Sequence, residues 1–172
     1  YKEGKPETEV GYMGCRTRVL ANVYNKRKQI TYGRGNLSFT SINLPRIALK
    51  CKGDMEVFYK LLDEQLKLVH RQLKNRFEVQ CKKKVKNYPF LMGQGIWIDS
   101  DKLTAEDTVG EILKNGSLTT GFIGLAEALI ALTGKHHGES EEAQKLGLEI
   151  VQHMRDYVDR ASKREKLNYT LI

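Results

Sequence analysis

A chain of 172 residues, 40% hydrophobic and 29% charged, is long enough to bury a core and too apolar to remain disordered. Its 29 basic and 21 acidic residues leave a net charge of +8, which suits an anionic partner such as a nucleoside triphosphate or a nucleic acid. No apolar run approaches the roughly 18 residues of a spanning helix, so a membrane-spanning helix is excluded and a cytoplasmic location is expected. Three cysteines, Cys15, Cys51 and Cys81, form no CxxC pair and no zinc signature. Cys51 and Cys81 read as buried or helix-surface residues.

Residues 1 to 11 are polar and read as an entry loop. Gly14 precedes Cys15, and a glycine there lets a thiol stand at the tip of a turn. Chemistry alone leaves Cys15 open between that role and a small buried hydrophobe. The alternation around Val19, Ala21 and Val23 predicts a strand, Asn25 to Lys28 a turn, and Ile30 to Tyr32 a returning strand. A third strand, Leu37 to Ile42, follows Gly33-Arg34-Gly35. Its period of two puts Asn36, Ser38 and Thr40 on one face and Leu37 and Phe39 on the other. Asn43-Leu44-Pro45 ends it, and Arg46 to Lys50 reads as a helical turn or a strand extension.

Asp54 is a good N-cap for a long helix. Phe58, Leu61, Leu62, Leu66, Val69, Leu73 and Phe77 recur every three or four residues, which predicts one apolar stripe running to about Lys86. His70 near that stripe reads as a packed or surface histidine. Asn87-Tyr88-Pro89 breaks the helix. Gly93 and Gly95 lack the Gly-Lys-Ser/Thr of a phosphate loop. Thr104 and Asp107 suit the start of a short helix, Val109 to Lys114, closed by Asn115-Gly116. A strand from Ser117 leads into a helix, Phe122 to Thr133, that is apolar nearly all round and predicted to be buried. Its Glu127 is expected to cap backbone or pair with an arginine. His136 and His137 fall in a loop, Ser140 caps the last helix, and Asn168 to Ile172 begins another strand. The order is an alternating α/β plan with long crossover helices.

Two stretches carry a resemblance. Met13-Gly14-Cys15-Arg16-Thr17 and Gly33-Arg34-Gly35-Asn36-Leu37-Ser38-Phe39-Thr40-Ser41-Ile42-Asn43-Leu44-Pro45 resemble the finger-loop region of the anaerobic, class III ribonucleoside-triphosphate reductases, which are glycyl radical enzymes. Gly121 to Leu129 is similar to a later segment of the same family. The resemblance implies a ten-stranded α/β barrel of two half-barrels with a finger loop through its centre. Residues 1–172 would be a fragment of that catalytic barrel domain, with the finger loop at about 10–35 and strands and helices over 36–172. The abrupt start at Tyr1 and the apolar end at Leu171-Ile172 read the same way.

By the same resemblance, Cys15 matches the loop-tip cysteine that becomes a transient thiyl radical and takes the 3′ hydrogen of the substrate ribose. Met13 matches a methionine beside the reductive half of the site, and Asn36 an asparagine near the ribose and the reductant. Ser38 is assigned to substrate binding only because alternation places it on the face of Asn36. The family implies a glycyl radical, a structural zinc, ATP and dNTP effectors, and formate or another reductant, none of them expected on residues of this fragment. It implies a ribonucleoside triphosphate substrate, a radical SAM activating enzyme with a 4Fe-4S cluster, and a homodimer, with no membrane or nucleic-acid partner. Alone, the fragment is expected to be inactive. The competing readings are a basic helical module that holds RNA or another polyanion through Lys82 to Lys86, and a different glycyl radical enzyme.

Overall fold

A computed structural model describes residues 2–5, 22–172 and, as backbone alone, the strands 11–13 and 17–19. Strands β1 (Gly11–Met13) and β2 (Thr17–Val19) pair antiparallel, with Met13 opposite Thr17 and Gly11 opposite Val19. Strand β3 (Asn36–Asn43) is followed by helices α1 (Leu44–Cys51) and α2 (Met55–Cys81). A region of turns leads to the four-residue helix α3 (Gly110–Leu113) and strand β4 (Ser117–Ile123). Helices α4 (Leu125–Thr133) and α5 (Glu141–Glu165) precede strand β5 (Asn168–Leu171). The order in the small parallel sheet is β3-β4-β5. Ile172 donates to the Thr120 carbonyl and accepts from the Phe122 amide, the slanted pattern of parallel neighbours.

The chain divides into two compact units, residues 1–38, 74–118 and 161–169 in one and 39–73, 119–160 and 170–172 in the other. In the second unit the stripe of α2 is buried as its periodicity predicts, with Phe58, Leu62, Leu66 and Leu73 essentially inaccessible, as are Ile150 and Met154 of α5. Asp54 accepts from the Glu56 and Val57 amides at the start of α2, and Ser140 accepts from the Ala143 amide at the start of α5. Arg46 to Lys50 is helical. Pro45 sits in the first turn, where its missing N–H costs nothing, and the Asn43 side chain caps the helix.

Several expectations fail for identifiable reasons. Val23 and Ile30 to Tyr32 are not strands; the paired strands of this region are β1 and β2 instead, and residues 20 and 21 lie outside the described residues. Side chains take the place of a ladder there. The buried Asn22 donates to the Lys28 carbonyl and accepts from the Asn25 amide, while Arg34 uses the Ile30 carbonyl. Helix α2 stops at Cys81 rather than Lys86, about 40 Å long at 1.5 Å per residue. The chain then leaves the helix because Val85 and Lys86 donate to the Asp107 and Ala105 carbonyls, and Lys83 accepts from Val109.

Thr104 and Asp107 form a closed turn, with the Asp107 carboxylate accepting from the Thr104 amide and hydroxyl, and the helix begins only at Gly110. Helix α4 begins at Leu125 rather than Phe122, because β4 runs on to Ile123. Gly124 makes the turn between them at φ +74°. A Cβ there would stand 2.4 Å from Pro45 Cγ, so the corner admits only glycine. Only Ala128 and Leu129 of α4 are buried, and Glu127 is exposed, against the expectation of burial all round.

In the first unit, Asn22, Asn115 and Asn168 are each almost fully buried. Asn22 donates to Asn115 Oδ1 at 2.9 Å, and Asn168 donates to the Lys114 and Gly116 carbonyls while accepting from the Val23 amide at 2.7 Å. Removing one partner leaves buried groups unpaired, at about 1–3 kcal/mol for each. Asn168→Ala is therefore expected to lower stability by at least ~2 kcal/mol, read as a fall in the urea midpoint without a change in slope, whereas Asn87→Ala on the surface should lower it less.

Large apolar side chains also stand in solvent: Leu148 is 66% exposed, Ile123 57% and Ile172 51%. Phe122, Leu148, Val151, Leu171 and Ile172 line a groove of about 770 Å³ in the second unit. Exposed apolar area of this kind drives association. Leu148→Lys is expected to reduce concentration-dependent self-association in sedimentation velocity, with the fold unchanged by circular dichroism.

Candidate active site

The candidate site is built on the first residues of β3 and on what holds them. Arg34, 9% exposed, donates through Nε to the Asn115 carbonyl at 2.7 Å and through Nη1 to the Ile30 carbonyl at 2.9 Å. Burial draws its pKa down, yet a guanidinium keeps its proton. The Gly35 carbonyl accepts from the Ser117 amide, which sets the start of β3 beside β4. Gly116 permits the approach, since a Cβ there would lie 2.7 Å from Leu37 Cγ and 3.0 Å from the Gly35 carbonyl. On the other side, Trp97 packs 3.1 Å from the position of a Gly35 Cβ and donates from its indole to the Ile112 carbonyl.

Asn36 is exposed at the first position of β3. Ser38, two residues on and half-buried, accepts from Arg76 Nη1 at 3.0 Å, and Gln80 donates to the Leu37 carbonyl at 3.1 Å. Helix α2 thus grips the strand through its last two turns. Phe39 is 65% exposed. Ser117, 2% exposed, has a hydroxyl without a hydrogen-bond partner among the described residues. Cys15 lies outside the described residues, as do Gly14 and Arg16, and Met13 is described by its backbone alone in β1. Arg34, Arg76, Asn115 and Ser117 escaped the sequence reading. Only the unusual placement of Arg34 between two glycines marked any of them.

Cys51 is buried, and burial lifts the thiol of the half-buried Cys81, so neither is an activated nucleophile. Lys84 and Lys86 both pair with Glu106 at 2.7 Å, which neutralises part of the lysine cluster and disfavours the polyanion-binding reading. Among the described residues no helix is long and apolar enough to cross a membrane. No three His, Cys, Asp or Glu side chains among them form a set that could hold a metal ion.

A family model described as anaerobic ribonucleoside-triphosphate reductase matches residues 1–172. The chain belongs to this family. It is 41% identical over 150 residues to the anaerobic ribonucleoside-triphosphate reductase of Salmonella typhimurium, covering 86% of this chain and 21% of that protein. To the Escherichia coli K12 enzyme of the same name it is 38% identical over 162 residues, 92% of this chain and 22% of that one. The chain therefore spans about a fifth of the length of these relatives. Its fold is similar to part of the anaerobic ribonucleotide reductase from Thermotoga maritima solved with glycerol in the active site, with a TM-score of 0.60, 17% identity, and coverage of 86% of this chain and 23% of that one. A structure of the same enzyme with dATP and CTP matches at a TM-score of 0.60 and 16% identity, with the same coverage.

Asp99 anchors the loop that lies against Gly33, just ahead of β3. Its carboxylate pairs with Lys102 at 2.6 Å and with Lys28, and the Ile98 amide beside it donates to the Gly33 carbonyl at 2.7 Å. Hydrogen bonds from Lys102 and then Lys28 hold the Asp99 carboxyl below its ordinary pKa. A depressed folded pKa stabilises above the unfolded value of about 3.9, and the contribution is lost as pH falls through the folded value. Asp99→Asn is expected to flatten the fall of stability below about pH 4 and to lower stability at pH 7, measured by denaturant midpoints across pH.

Proposed function

We propose that this chain carries the thiyl-bearing part of an anaerobic ribonucleoside-triphosphate reductase, an oxidoreductase that converts ribonucleoside triphosphates to deoxyribonucleoside triphosphates. The observation that carries this reading is the family match over the whole chain, with Cys15 and Asn36 in the motifs that resemble the finger loop. On either side of this motif in sequence, the described strands β1 and β2 pair antiparallel with Met13 opposite Thr17. The finer architecture proposed is a ten-stranded barrel to which β3, β4 and β5 belong.

In this reading a glycyl radical elsewhere in such a protein would take the hydrogen atom of the Cys15 thiol, and so would leave the unpaired electron on its sulfur. The Cys15 sulfur takes the 3′ hydrogen atom from the ribose; an S–H bond forms, the C–H bond breaks, and the unpaired electron passes to C3′. Sulfur suits the step because the hydrogen can be returned from the same atom. Asn36 orients the ribose and the reductant by hydrogen bonding, Met13 lies beside the reductive half of the site, and Ser38, held by Arg76, lines the face that Asn36 begins. The partners proposed are the triphosphate substrate, the radical SAM activating enzyme with its 4Fe-4S cluster, and a second copy in a homodimer. Structural zinc, nucleotide effectors and formate or another reductant belong to the rest of such a protein, and a cytoplasmic location goes with it.

The test uses the full-length reductase that contains this chain. Cys15→Ser is expected to abolish deoxyribonucleotide formation under strict anoxia while glycyl radical content, quantified by electron paramagnetic resonance, stays unchanged. Asn36→Ala removes hydrogen bonding and positioning only. A net hydrogen bond is worth about 0.5–1.5 kcal/mol, and positioning multiplies it. Turnover should fall by roughly tenfold or more and remain measurable. Wild-type turnover in Cys15→Ser would end the proposal.

A further inference from the structure

Away from the candidate active site, a groove of about 300 Å³ lies in the second unit between the end of β3, α1 and α2. This volume is at the small end of ligand pockets. Its floor is apolar, with Ile42, Ile47 and Val69 buried beneath it. Its rim carries Arg46 and Lys50 from α1 and the amides of Gln65 and Gln72 from α2. No carboxylate lines it. The charged residues of α2 within two positions of these amides are Asp63, Glu64, Lys67, Arg71 and Lys74, and none of them lines the groove.

Local electrostatics do not account for the two cations. Residues four apart share one helix face, so Arg46 and Lys50 repel each other. Arg46 stands in the first turn of α1, where the helix dipole disfavours a cation and where no acidic residue is present. Only Lys50, in the last turn, is well placed by that criterion. Neither side chain forms an ion pair among the described residues, and neither Gln65 nor Gln72 makes a side-chain hydrogen bond there. Two exposed cations and two exposed amides, none paired with another side chain among the described residues, thus surround one apolar floor.

We propose that this groove binds a small organic phosphate, with the phosphate between Arg46 and Lys50, an apolar or planar body on Ile47 and Val69, and polar edges meeting Gln65 and Gln72. Guanidinium and ammonium groups complement a phosphate dianion by charge and by N–H donation. The site is independent of the Cys15 and Asn36 chemistry and does not require it.

The probe is phenyl phosphate, compared with inorganic phosphate and with phenol, titrated into the chain and followed by the side-chain amide signals of glutamine in ¹H–¹⁵N spectra. Phenyl phosphate is expected to saturate two glutamine side-chain signals, assigned by Gln65→Glu and Gln72→Glu, at least tenfold more tightly than inorganic phosphate. Arg46→Gln combined with Lys50→Gln should weaken it at least tenfold, with the thermal midpoint within a few degrees of the parent. Equal affinity for phosphate and phenyl phosphate would overturn the proposal. So would binding that the double variant leaves intact, or saturation of the groove by an acidic peptide with no response to phenyl phosphate.

Discussion

The buried hydrogen bonds among Asn22, Asn115 and Asn168, with Arg34 beside them, are the constraint on which the first unit depends. Residues 22–35 contain no helix or strand, yet buried backbone groups need partners. Asparagine meets the need because one side chain both donates and accepts. Asn168 alone links the start of β5 to Val23 and to the turn at Lys114 and Gly116. Arg34 closes the same arrangement from the other end by binding the Asn115 and Ile30 carbonyls. Leaving any of these groups unpaired would cost more than the net worth of the bond it makes.

That arrangement delivers β3 to its place. The Gly35 carbonyl meets the Ser117 amide immediately after Arg34, and Asn36 begins the strand. Helix α2 then fixes the next positions through Gln80 on the Leu37 carbonyl and Arg76 on the Ser38 hydroxyl. The function proposed above would need its positioning groups held before the reaction starts, since a small misplacement costs much of the effective concentration. Ser38 with Arg76 is a side chain fixed in advance, and it stands two residues from Asn36 on the same strand.

The helices were legible because their apolar stripes are local and long. The stripe from Phe58 to Phe77 has one solution, a helix buried on one side, and Asp54 and Ser140 mark helix starts by their own hydrogen bonds. The strand expected at 19–24 was misread at its described end, residues 22–24, and that at 30–32 throughout, because apolar alternation says nothing about which donor meets a carbonyl. Ile30 looks like a strand residue, but its carbonyl belongs to Arg34. The end of α2 was misplaced for a related reason: the residues that draw the chain away, Ala105 to Val109, lie more than twenty positions downstream. Helix α4 looked buried all round because apolar composition does not reveal how much covering surface a neighbour offers.

The amino-acid sequence by itself determined the α/β order, the long helices and membership of the reductase family, since periodicity, capping residues and motifs are local properties written in neighbouring positions. It also singled out Cys15, Met13, Asn36 and Ser38, through the motifs and the alternation of a strand. Tertiary structure alone decided that Asn22, Asn115 and Asn168 meet, that Arg34 is buried against two carbonyls, that Arg76 reaches Ser38, and that Arg46 and Lys50 face an apolar groove with no carboxylate. Each of these arrangements joins residues brought together by the fold, and a hydrogen bond or a charge contact is specified by where two groups end up rather than by either residue alone.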